Sequence, residues 1–153
     1  MQESLQVVCK HFSELTALDL YEIIRLRIEV FTVEQNCPYQ DADGKDIHCW
    51  HVMIQNEKNE LIAYSRLIPE GVSYEGFCSI GRVVSSPIIR RTGIGRLLMA
   101  KSLEKINELF RNTPVKISGQ AYLERFYASF GFERIGEEYL EDGIPHYKMV
   151  RAN

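Results

Sequence analysis

The chain has 153 residues, enough for one domain with a sizeable core, and its 45% hydrophobic and 25% charged content is ordinary for a soluble globular protein. A formal net charge of -3 gives no sign of a nucleic-acid partner, and no apolar run approaches the ~20 residues of a membrane helix. Met1 to Lys10 contain acidic Glu3 and no long apolar core, so this stretch does not read as a signal peptide.

Leu5, Val7 and Cys9 alternate with polar neighbours, which predicts a first strand. Ser13 or Thr16 caps a helix expected to run to about Phe31, with Leu20, Ile24, Ile28 and Phe31 at helical spacing. Asn36 to Asp46 is a polar, turn-rich loop. His51 to Gln55 and Leu61 to Ile68 read as two strands of a hairpin, and Phe77 to Ser85 as a third strand buried on both faces. Gly93 to Arg111 is a long helix, and Pro114 to Ser118 a short strand. Tyr122 to Phe130 is a second helix ended by Gly131. Phe132 to Tyr139 and His146 to Val150 are closing strands around the turn from Glu141 to Pro145.

The order β-α-β-β-β-α-β-α-β-β predicts an α/β or α+β fold: one layer of sheet with helices on its faces, the three middle strands antiparallel, and a parallel crossover through the long helix. The cysteines Cys9, Cys37, Cys49 and Cys78 form no C-x-x-C pair, which fits free thiols in a reducing cytoplasm. His48 and His51 flank Cys49-Trp50, but residues three apart on a strand face opposite ways, so no metal is expected.

Arg90-Arg91-Thr92-Gly93-Ile94-Gly95 lies between the third middle strand and the long helix. Free amides at a helix start, the helix dipole and two arginines favour an anion there, and the glycines admit close approach. A Walker loop is absent. Leu98 stands where a dinucleotide fingerprint needs its third glycine, which disfavours nicotinamide or flavin.

Ile80-Gly-Arg-Val-Val-Ser-Ser-Pro-Ile-Ile-Arg-Arg-Thr-Gly-Ile-Gly-Arg-Leu-Leu-Met99 resembles motif A of the GCN5-related N-acetyltransferases (GNAT), and Gln120-Ala-Tyr-Leu-Glu-Arg-Phe-Tyr-Ala-Ser-Phe-Gly-Phe132 resembles their motif B. The stretches Leu26–Gln40 and Glu141–His146 resemble the ElaA-type branch, so the likeness spans nearly the whole chain. The resemblance implies a GNAT fold: a mixed, mostly antiparallel central sheet of six to seven strands, splayed at the coenzyme site, with helices on both faces.

It further implies a single acetyltransferase domain over residues 1–153 that uses acetyl-CoA as co-substrate, without a metal. The pyrophosphate would sit on the amides from Arg91 through Thr92, Gly93 and Ile94 to Gly95, flanked by Arg90 and Arg96. Val83, Val84 and Ser85 would offer backbone groups to the pantetheine and stabilise the oxyanion, and Gln120 would touch the same arm. Tyr127 would face the coenzyme sulfur as general acid or hydrogen-bond donor, since a phenol (pKa about 10) can serve a thiolate of pKa about 8.5.

The attacking amine must be neutral, and Glu34, His146 and Glu75 are candidate bases. A covalent route through Cys78 lacks a histidine close in sequence. The acceptor is expected to be a small-molecule or peptide amine; Asp41, Asp43, Asp46, Glu141 and Asp142 hint at a cationic one. Two rival readings are a coenzyme A sensor without turnover, and a relative of the acyl-homoserine-lactone synthases, suggested by Leu26-Arg-Ile-Glu-Val-Phe31. Oligomeric state stays open between monomer and homodimer.

Overall fold

Alternating apolar residues set strand β1 (Gln6–His11), the first element of a computed structural model that describes residues 4–153. Glu3, part of the N-terminal reading above, lies outside the described residues. Thr16 starts helix α1 (Ala17–Arg27) with a reciprocal cap: its hydroxyl accepts from the Asp19 amide, and the Asp19 carboxylate accepts from the Thr16 amide. The α-helix stops short of the expected Phe31. From Ile28 to Glu34 the backbone widens into π-helical turns. Four β-branched residues there, Ile28, Val30, Thr32 and Val33, crowd a tight α-helix. The widened turns bring Val30, Phe31 and Glu34 to a common cleft.

Strands β2 (Trp50–Gln55), β3 (Leu61–Ile68) and β4 (Ser79–Ser85) complete a four-stranded antiparallel sheet in the order β1-β2-β3-β4. β3 is buried along its whole length because both faces are covered. On one side Met53, Tyr64 and Val84 meet Ile23, Leu26 and Val30. On the other, Val52, Ala63 and Leu67 pack with Leu98, Met99 and Ile106 of helix α2 (Ile94–Leu109). Two apolar faces on one sheet thus explain the continuous apolar strand and the two flanking helices.

Strand β5 (Val115–Gln120) follows α2, and helix α3 (Glu124–Ala128) follows a single 3-10 turn at Ala121–Leu123. The expected helix from Tyr122 to Phe130 is therefore shorter, and Gly131 closes it at φ 91°, in the left-handed region. Strands β6 (Glu133–Glu141) and β7 (Ile144–Arg151) join through Asp142-Gly143 at φ 51° and 78°, a two-residue turn that matches strand twist. The second sheet is antiparallel, in the order β5-β7-β6. His48 sits in a 3-10 turn (Asp46–His48) rather than in β2, which corrects its expected strand placement.

The two sheets join where β4 and β5 begin. A parallel bridge links Cys78 and Val115: the Cys78 amide donates to the Pro114 carbonyl (3.0 Å) and the Lys116 amide to the Cys78 carbonyl (2.9 Å). Beyond that point the described residues of β4 and β5 share no ladder, and the strands diverge. The expected sheet of six to seven splayed strands is thus two sheets, of four and three strands, opened at one seam.

Candidate active site

The opening between β4 and β5 is a cleft of about 430 Å³. Its β4 wall is irregular. Tyr64 pairs with Val84 and Arg66 with Gly81, so Arg82 and Val83 together oppose Ser65 alone. This is a β-bulge, with Arg82 at φ 50°. The Arg82 guanidinium holds the bulge in place: its Nε donates to Asp41 Oδ1 (3.0 Å), and its Cζ lies 5.4 Å from the Tyr39 ring centroid. Val83, Val84 and Ser85 line the cleft just after the bulge.

At the mouth, α2 begins at Gly93, whose φ of 86° suits glycine and brings no side-chain cap. The first helical amides, at Ile94, Gly95 and Arg96, have no intrahelical acceptor. A Cβ added at Gly95 would meet only the Phe126 ring edge, at 4.0 Å. These amides and the dipole behind them fit a diphosphate. Arg90 Nη1 donates to Glu34 Oε1 (2.6 Å), which ties the π-helical segment to the loop before α2. Arg96 turns away, donating to Ser129 Oγ (3.2 Å) with its Cζ 4.7 Å from the Phe130 ring centroid.

Tyr127 is 7% exposed and lines the cleft from α3. Its ring lies edge-on to Phe126 and Phe132. A Cβ at Gly119 would fall 2.9 Å from Tyr127 Cε2, so β5 carries glycine where the tyrosine packs. Burial pushes the Tyr127 phenol up to about 12. Such a group stays protonated and offers a hydrogen bond.

Side chains alternate along a strand, so Ser118 and Gln120 face away from the surface on which Tyr127 covers Gly119. Register places Ser118 opposite Lys148, Gln120 opposite His146, and His146 opposite Tyr139. One face of the small sheet therefore collects Ser118, Gln120, Tyr139, Glu141, His146 and Lys148. His146 is 6% exposed; its Nδ1–H donates to the Ile144 carbonyl (2.7 Å) and its Nε2 lies 3.4 Å from Glu141 Oε2. A second cleft of about 410 Å³ shares Arg82, Ser118, Glu141 and Asp142 with the first. Cys37 Sγ donates to the Asp142 carbonyl (3.6 Å), joining the end of the π-helical segment to the hairpin.

The cleft thus unites Val83, Val84, Ser85, Arg90, Gly95, Gln120, Tyr127, Glu34 and His146 from the sequence reading. Arg91, Thr92, Gly93, Ile94 and Arg96 form the loop and helix start beside it without lining it. Glu75 sits exposed in the loop before β4, outside both clefts. Cys78 is buried; its thiol points at the Thr113 and Pro114 carbonyls, and burial pushes it up to about 11, a poor start for a nucleophile. Asp41, Asp43 and Asp46 do not await a cationic substrate, because Arg27, Arg66 and Arg82 already pair with them. His51 is buried and fully bonded: the Tyr64 hydroxyl donates to Nδ1 (2.6 Å) and Nε2–H donates to the Asp46 carbonyl (3.0 Å).

Three features escaped the sequence: the bulge at Arg82, the Gly119–Tyr127 contact, and the Ser118–Tyr139–Glu141 group. Only Gly119 left a trace, as a glycine inside a strand.

The acetyltransferase (GNAT) domain profile matches residues 27–152. Protein ElaA of Escherichia coli is 45% identical over 142 residues, covering 92% of each chain. Its crystal structure superposes with a TM-score of 0.90 over 97% of this chain and 99% of that one. An acyl-CoA N-acyltransferase from Pseudomonas aeruginosa is 46% identical, with a TM-score of 0.92 over 97% and 100% of the two chains. Fold, motifs and relatives agree: the chain belongs to the GNAT acetyltransferase family, in its ElaA-type branch, and is an acyltransferase.

Proposed function

We propose that this acyltransferase is a single-domain N-acetyltransferase that moves the acetyl group of acetyl-CoA to an amine by direct attack in a ternary complex. The observation that carries the reading is the seam itself. β4 turns an unpaired edge toward the cleft, next to free helix-start amides and a buried tyrosine hydroxyl. The amides after Gly93 suit the diphosphate, with Arg91 and Arg90 beside it. The edge at Val83 to Ser85 suits the amides of the pantetheine arm, as a strand would, and Gln120 lines its path. An amide near Val83 or Val84 would stabilise the oxyanion.

Acetyl-CoA supplies an activated thioester. Tyr127 donates a hydrogen bond to the departing sulfur; at about 12 its phenol holds its proton more tightly than a thiol of pKa about 8.5, so it stabilises the thiolate rather than surrendering the proton. For the base, Glu34 is engaged by Arg90, whereas His146 keeps Nε2 free of any donor. This favours His146. The four free cysteines support action in a reducing cytoplasm, and no described helix is long and apolar enough to cross a membrane.

The test is thiol release from acetyl-CoA across an amine panel, for the wild type and Tyr127→Phe. The reading expects amine-dependent release, reduced ~10²-fold in the variant. Tight coenzyme binding with no amine-dependent release across the panel would sink it and favour a coenzyme sensor.

A further inference from the structure

With a neutral His146 ring, donors and acceptors do not balance at the tip of the β6–β7 hairpin. The Ile144 carbonyl can only accept, so the His146 hydrogen resides on Nδ1. When the ring is neutral, Nε2 presents a lone pair, and the atom facing it, Glu141 Oε2 at 3.4 Å on a half-exposed carboxylate, is also an acceptor; when the ring is protonated, Nε2–H donates to that carboxylate. The other carboxylate oxygen, Oε1, accepts from the Ser118 hydroxyl (3.1 Å). Having spent its hydrogen there, Ser118 Oγ must accept from the Tyr139 hydroxyl that touches it. Lys148 stands behind Tyr139, its Nζ 5.0 Å from that ring centroid and donating to the Tyr74 hydroxyl (2.9 Å). A chain of fixed polarity therefore ends on Glu141 and holds it with Oε2 toward His146. In that neutral form two lone pairs, one on a side chain more than nine-tenths buried, converge on one point of the cleft wall with no side-chain donor between them.

We propose that Glu141 Oε2 and His146 Nε2 form the receptor for a primary alkylammonium group, the reactive end of the acceptor, and that Ser118 and Tyr139 position Glu141 for it. This rests on the amine-acceptor reading above. A primary ammonium carries three N–H donors on one atom and serves both lone pairs at once; its charge answers the carboxylate. The neighbouring charges do not cancel this choice, since Glu34 is paired with Arg90, and Arg82 with Asp41 and Asp43.

The step balances. The ammonium passes one proton to Nε2 and becomes a neutral amine held at Oε2. Its nitrogen lone pair forms the C–N bond to the thioester carbonyl, and the C–S bond breaks as the carbonyl re-forms. The second amine proton goes to the departing thiolate, and His146 returns its proton to water. His146 and Tyr127 both line the cleft, on either side of β5.

The test uses the full chain in two parts. Long-range nitrogen NMR of the His146 ring reads its tautomer and its response to n-butylammonium chloride. The expected result is the Nδ1–H tautomer, with Nε2 shifting on addition of n-butylammonium but not of n-butanol or tetramethylammonium. Glu141→Gln weakens that binding at least about tenfold, Ser118→Ala and Tyr139→Phe less, and Glu141→Asp restores part of it. With acetyl-CoA and amines, Glu141→Gln raises the amine KM, while His146→Gln lowers kcat ~10²-fold or more and leaves coenzyme affinity unchanged. An Nε2–H tautomer, an equal response to n-butanol, or an unchanged amine KM in Glu141→Gln overturns the receptor. Amine-dependent turnover indifferent to both variants overturns it while leaving acetyl transfer intact. An n-butylammonium shift without turnover on any amine keeps the receptor and overturns the transfer reading.

Discussion

Two polar clusters flank the cleft. In the first, Arg27, Arg66 and Arg82 interleave with Asp41, Asp43 and Asp46 at 2.6–3.4 Å, tying α1, β3 and β4 to the loop that follows the π-helical segment. In the second, Ser118, Tyr139, Glu141 and His146 make a chain that ends on two facing acceptors. Buried charge is costly unless it is paired, so the cluster of paired arginines and aspartates serves the fold. The unsaturated cluster leaves a defined place for a donor, which is what a ligand site requires. Acidic residues of turn-rich segments, Asp41 to Asp46 and Glu141, thus take opposite roles according to what faces them.

The contrast breaks most readily at Asp46, which accepts from Arg27 Nη1 (2.8 Å) and Arg66 Nη1 (2.9 Å). Asp46→Ala leaves two buried guanidinium groups undercompensated and should cost about 3–5 kcal/mol in urea unfolding. The catalytic constants of the molecules that remain folded should be unaffected. Gly119→Ala drives a Cβ into the Tyr127 ring; we expect about 1–3 kcal/mol of lost stability together with a rate near that of Tyr127→Phe, read from unfolding curves and turnover on one sample.

The arginine–aspartate cluster also sets an acid limit. Hydrogen bonds and charge from Arg66 and Arg27 outweigh burial and hold the Asp43 and Asp46 carboxyls below their ordinary range. In the unfolded chain these groups take up protons near pH 4, while the folded ones still refuse them. Stability should therefore fall as pH drops below about 4, with a shallower slope in Asp43→Asn. The smallest effect is at the mouth: Glu34→Gln releases Arg90 from a half-exposed ion pair and should tighten coenzyme A binding only a few-fold by calorimetry.

The element order, the antiparallel middle strands and the Gly-rich start of α2 were legible because apolar period and glycine placement encode them locally. The π-helical turns after Arg27 were not, since a widened helix keeps nearly the same apolar spacing. The acidic loop misled, because nothing in its sequence announces that arginines 14 to 41 residues away will meet it. Tyr127 was legible through its motif, but Gly119, which makes room for it, lies on another element. Ser118 and Tyr139 meet Glu141 only through the β5-β7-β6 pairing, and register between distant strands is not written in any one of them.

The central claim is that the β4–β5 seam delivers acetyl directly to an amine. Mass spectrometry of a reaction with isotopically labelled acetyl-CoA tests it most directly. The account predicts one acetylated amine for each coenzyme A released, with no label on the protein at any time. Coenzyme A released without amide, or label retained on Cys78 or another side chain, would contradict it.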